Sequence, residues 1–134
     1  MAGGDRAMNS RELKALEHVA RLKADMELRR YAALHRHALA LETRIMALGD
    51  ELSATSASWG RAASLQETRL VNRLTRVMVE ERSEVQMARA RVEPTHEAAR
   101  QAAIKAWGRA EALAELHRRA VRTRRMAVEA RSEW

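Results

Sequence analysis

The side chains able to do acid–base or metal chemistry are His18, His35, His37, His96 and His117, together with 18 aspartates and glutamates. Glu93 and His96 stand at the Glu-x-x-His spacing of helical di-iron proteins, where one turn brings a carboxylate and an imidazole to the same metal. Such a centre takes two of these motifs and two further glutamates on facing helices. This chain has one copy, with Pro94 inside it. His35 and His37 are two positions apart, which sends them to different faces of a helix, so they form no metal clamp. There is no cysteine, which removes thiolate nucleophiles, cysteine–metal sites and disulfides together. No glycine-rich phosphate loop occurs. The expectation is a non-enzymatic protein with no catalytic residue, no metal and no cofactor.

Charge is the stronger chemical signal. The net charge is +7, and 22 of the 25 basic residues are arginine. Residues 1–52 contribute +1, residues 53–104 contribute +2 and residues 105–134 contribute +4. The density peaks at Arg118, Arg119, Arg122, Arg124 and Arg125. A guanidinium pairs bidentately with carboxylates and phosphates, so this cluster suits an acidic protein surface, a nucleic acid or lipid headgroups. Nucleic acid is the poorer match, because no aromatics are interleaved for stacking and no recognition motif is present. Cations near a helix C-terminus also follow from the helix dipole.

The elements that position these residues are helical. Every seventh residue from Val71 is small or apolar: Val71, Met78, Val85, Val92, Ala99, Ala106, Leu113, Ala120 and Ala127. A second series stands three residues behind: Leu74, Glu81, Ala88, Thr95, Ala102, Arg109, Leu116, Thr123 and Ala130. Steps of three and four put both on one helix face, the spacing of a seam against another helix. The N-terminal half repeats it, with Ala24, Tyr31, Ala38, Ile45 and Leu52 beside Leu13, Ala20, Leu34, Leu41 and Leu48. Asn9 with Glu12 forms a capping box, stapled by Met8 and Leu13. The polar run Ser53–Ser58, with Gly49 or Ser53 as the helix stop, reads as the connection. A second capping box stands at Ser64 and Glu67. The expected fold is all-α: one domain, 1–134, forming a long antiparallel two-helix coiled-coil hairpin. Helix 1 spans about 9–52, the turn about 53–60 and helix 2 about 61–131. Pro94 is the place for a kink, since proline removes a helical hydrogen bond; the alternative is a three-helix bundle broken there. The heptad phase continues across Pro94, which favours the single helix. No apolar run reaches the ~18 residues of a membrane span and no signal-peptide core is visible, so a soluble cytoplasmic protein is expected.

A turn near residue 56 sets Leu41 opposite Val71, Leu34 opposite Met78 and Leu13 opposite Ala99. Helix 2 then overhangs by ~30 residues, about 45 Å at 1.5 Å per residue. An apolar stripe on an unpaired helix requires a partner. Partner-binding residues are expected there, at Trp107, Leu113, Leu116, Arg118, Arg119, Arg122, Arg124 and Arg125. A second set is expected where the apolar face widens, at Leu39, Leu70, Val77 and Val79. That patch serves either a partner or a second copy of the chain.

The chain length, the two-helix hairpin with its short polar turn, the long second helix and its ending, Ala106-Trp107 followed by EALAELHRRAVRTRRMAVEARSE, together resemble the FliJ/YscO family. These are coiled-coil stalk proteins of flagellar and type III secretion export. The chain departs from that pattern in being alanine-rich, in having one tyrosine and in carrying Pro94. The resemblance implies a cytoplasmic stalk or adaptor peripheral to the inner-membrane export apparatus. Its terminal ends would insert into the export ATPase hexamer and its hairpin region would meet an export-gate protein, with export chaperones as further partners. From the residues themselves, a self-associating coiled-coil scaffold and a basic helical binder of nucleic acid or membrane surfaces stand as alternatives.

Overall fold

A computed structural model describes residues 9–61 and 64–133. The fold is all-α. Helix α1 runs Ser10–Ser58, a 3-10 turn spans Trp59–Arg61, and helix α2 runs Leu65–Ser132. Asn9 caps α1 by accepting from the Glu12 N–H at 2.9 Å, while its side-chain amide donates to the Glu12 carboxylate at 3.4 Å. Ser64 caps α2 by accepting from the Glu67 N–H at 3.1 Å. The N-cap bond of each expected capping box therefore forms; the staple residue Met8 lies outside the described residues.

Helix α1 passes through Gly49, Ser53 and the polar run expected to end it. The Ser58 hydroxyl donates to the Thr55 carbonyl at 2.6 Å, a bond within the helix that satisfies a residue otherwise inclined to break it. The three-helix alternative is not adopted, because α2 continues through Pro94. Without a Pro94 N–H, the Ala90 carbonyl loses its helical partner.

Two compact units are present: residues 9–31 with 99–133, and residues 32–98. In each, α1 and α2 pack antiparallel. In the second unit Leu48 is fully buried, Ala38 and Met78 are buried, and Leu34, Leu41, Ile45, Val85 and Val92 are half-buried. In the first, Ala20, Ala24, Ala106 and Ala110 form one buried cluster with Leu113 packed against it.

The facing pairs differ from the expected ones. Glu17 faces His117 in the first unit, and His35 faces His96 and Glu42 faces Arg89 in the second. The turn lies later than residue 56, and each residue of shift in a turn displaces facing positions by two. Ala106, Ala110 and Ala114 are consequently buried rather than overhanging. The fully exposed stretch begins only at Val121 and runs to Glu133, about 20 Å of helix at 1.5 Å per residue.

The inner rows of α2 also differ in one respect. The series from Val71 to Ala120 is buried or half-buried at every position. Its companion is not the row three residues on, where Leu74, Thr95, Arg109 and Leu116 are exposed. The inward row is four residues on: Thr75, Arg82, Arg89, His96, Ala103, Ala110 and His117, none of them exposed. Offsets of three and four both share a face with the first row. The more apolar row is the outer one because arginine and histidine lay their hydrocarbon portions along the seam and carry polar tips to its edge.

Two stability outcomes follow. Leu48→Ala should lower unfolding free energy in urea by roughly 2–5 kcal/mol, the cost of a cavity at a buried leucine. Pro94→Ala should raise it by about 1–3 kcal/mol, by restoring a helical N–H to Ala90 and removing the ring clash. A neutral or lower midpoint for Pro94→Ala would show that the helix depends on the proline.

Candidate partner-binding surface

The second unit holds its inward polar row with bridges between the helices. Arg89 donates to Glu42 across the seam at 2.9 Å and to Glu93 on its own helix at 2.6 Å. Arg44 donates to Glu81 at 3.1 Å. The carboxylates of Glu93 and then Glu42 hold the Arg89 guanidinium above its ordinary pKa, and Glu81 does the same for Arg44. Nδ1 of His35 and Nε2 of His96 lie 3.0 Å apart, one donating and the other accepting, with the rings stacked at 5.3 Å.

Glu93 and His96, the pair at metal-ligand spacing, are thus engaged with Arg89 and His35. Among the described residues, no group of three or more histidines and acids could hold a metal ion, and no helix is long and apolar enough to cross a membrane.

Leu39, Leu70, Val77 and Val79 are all exposed, but they do not make one patch. Leu70, Leu74 and Val77 share a face at i, i+4, i+7. Val79, two positions beyond Val77, points about 200° around the axis at 100° per residue. In the first unit, Trp107 is 61% exposed and rims a groove of about 420 Å³ with Leu28, Tyr31 and Ile104, floored by Ala24 and Ala103. Leu116 is exposed, whereas Leu113 is half-buried and packs on the alanine cluster.

The arginine cluster divides in two. Arg118 and Arg119 both bind Glu115, at 2.9 and 3.3 Å. Arg122, Arg124 and Arg125 have no carboxylate partner among the described residues. Where α1 begins, a groove of about 700 Å³ opens between Asn9, Ser10 and Arg11 on one side and Ala120, Arg124 and Ala127 on the other. Its lining contains no acid.

Two features were missed from sequence. The cross-helix pairs depend on the register, which the misplaced turn obscured. The exposed row Val19, Leu22 and Met26 lies opposite the inner rows of α1. Its signal was present in the i, i+4, i+7, i+11 spacing of Ala15, Val19, Leu22 and Met26, beneath the stronger inner pattern.

Comparison with protein-family models, curated proteins and solved structures found no match to this chain.

Hydrogen bonding and charge from Arg118, then Arg119, hold the Glu115 carboxyl below the ordinary glutamate value of 4.5. A lowered folded-state value means these bonds stabilise the helix fully above that ordinary value and lose their effect as pH falls through the folded one. Amide exchange over residues 115–119 should therefore quicken as pH drops below 4.5, relative to its intrinsic rate. Glu115→Gln should exchange faster than wild type at neutral pH and lose that added acid sensitivity.

Proposed function

We propose that this chain is a non-enzymatic helical stalk or adaptor that docks a partner protein through the end where α1 starts and α2 finishes. One observation carries the proposal: α2 is exposed from Val121 to its end at Ser132, its last turns run beyond the start of α1, and it carries arginines that lack carboxylate partners among the described residues. A helix propagated from a paired segment is already nucleated, so the extension presents a preorganised surface rather than one that must fold on contact.

The resemblance to FliJ/YscO stalk proteins supplies the partner. In this proposal the extension enters the ring of a flagellar or type III export ATPase and stimulates it. Exposed apolar side chains of the second unit, Leu70 and Val77 among them, meet an export-gate protein. The chain would then work in the cytoplasm, peripheral to the inner membrane. Trp107 and its groove offer a further apolar anchor, tryptophan being favoured at such positions.

The unit boundaries decide how to test this. Removing residues from Ala106 onward would strip the buried alanine cluster and unfold the first unit, so loss of binding would be uninformative. A truncation ending at Ala120 keeps Ala106, Ala110, Leu113 and Ala114. It should retain helix content and thermal unfolding close to wild type, while losing co-purification with the export ATPase and stimulation of its ATP hydrolysis. Unchanged stimulation by the truncated chain, or no complex with the full chain, would overturn the proposal.

A further inference from the structure

We infer that the occupant of the exposed end of α2 is an acidic helix that completes the seam where α1 stops. This rests on the docking role proposed for that end and specifies the chemistry of the partner.

The two inner rows of α2 do not stop at the end of the paired region. The first continues as Ala120 and Ala127, the second, seven residues beyond His117, as Arg124 and Arg131. The extension therefore presents half a seam: small residues in one row, guanidinium groups in the other. The chain itself shows how such a row is satisfied. Arg89 occupies the same row and is met by Glu42 of the facing helix at 2.9 Å, beside the half-buried small and apolar residues of the first row. Among the described residues, Arg124 and Arg131 have no equivalent partner. In the groove where α1 begins, Arg124 is joined by Arg11 and by no acid.

Charge complementarity selects the occupant. A second copy of this end would bring Arg124 and Arg131 against the same row, with like charges facing. Residues 1–8 contain one carboxylate, Asp5, beside Arg6, which does not complement two arginines seven residues apart. A phosphate surface would be met by Arg118, Arg122 and Arg125, which share a face at i, i+4, i+7; Arg124 lies about 200° from Arg122 around the axis and would stay outside that contact. Such a surface also gains nothing from Ala120 and Ala127. A helix gains from both rows: the alanines admit close approach, and carboxylates at heptad spacing reach the arginines. About one heptad of partner helix would cover the part of α2 beyond Asn9, and Arg124 is reached from the groove beside the start of α1.

The test uses the full chain and a synthetic two-heptad helical peptide with alanine in one row and glutamate in the other. A permuted peptide of the same composition spreads its glutamates around the helix. The first peptide should bind and the second bind more weakly. Arg124→Glu with Arg131→Glu should weaken binding at least about tenfold, whereas Arg122→Glu with Arg125→Glu, the same change of charge off the row, should change it by less than about threefold. Circular dichroism should show equal helix content in both variants. Equal binding of the two peptides, equal losses from the two variants, or tighter row-dependent binding to duplex DNA or anionic vesicles would overturn the inference. The peptide is independent of any export ATPase, so failure to bind it and failure to find an ATPase complex are separate results.

Discussion

Two helices with no third layer must bury what they can along one narrow strip, and this limit governs the rest of the molecule. A buried methylene contributes about 0.8 kcal/mol, so a strip floored by alanine gains little at each position and must extend over many turns. The first unit spends its strip on Ala20, Ala24, Ala106 and Ala110. The second uses larger residues, with Leu48 its one fully buried large side chain. The chain has no phenylalanine with which to thicken either.

The strip also explains where polar groups sit. A two-helix seam is never far from water, so arginine and histidine occupy an inward row without the desolvation that a closed core would impose. Arg89 sits along the seam with its guanidinium shared between Glu42 and Glu93. Apolar side chains that a thicker core would cover, such as Val19, Leu22 and Met26, remain outside. A protein with this section has surface in excess of interior.

Much of the fold was legible in the sequence because heptad spacing and capping boxes are local signals. Val71 to Ala120, Asn9 with Glu12, and Ser64 with Glu67 all appear where their chemistry places them. The turn was not legible, because serine and threonine bond to helical carbonyls as readily as they end a helix: α1 passes through Ser53 and Ser56, and Ser58, its last residue, bonds back to the Thr55 carbonyl. That local ambiguity spread through the register to the site, giving an overhang too long and hiding the His35–His96 and Glu42–Arg89 pairs. The inward row was misread because hydropathy ranks Leu74 above Thr75 and Ala88 above Arg89, while geometry permits either. The arginine-rich end was visible as composition; its division into tied and unpartnered arginines required the positions of Glu115 and of the start of α1.

The alanine strip has a consequence for assembly. Identical small residues recurring along one face look much the same after the helices slide by one heptad, so the strip itself discriminates poorly between neighbouring alignments. Direction and alignment must be chosen by features that do not repeat. In the first unit these are Leu13, buried at the beginning of α1, and the contact between Glu17 and His117. Such singular points act like the notches of a key on an otherwise smooth blade: they add little to the total adhesion, yet they separate one docked state from its translated copies and limit kinetic trapping as the helices zip together.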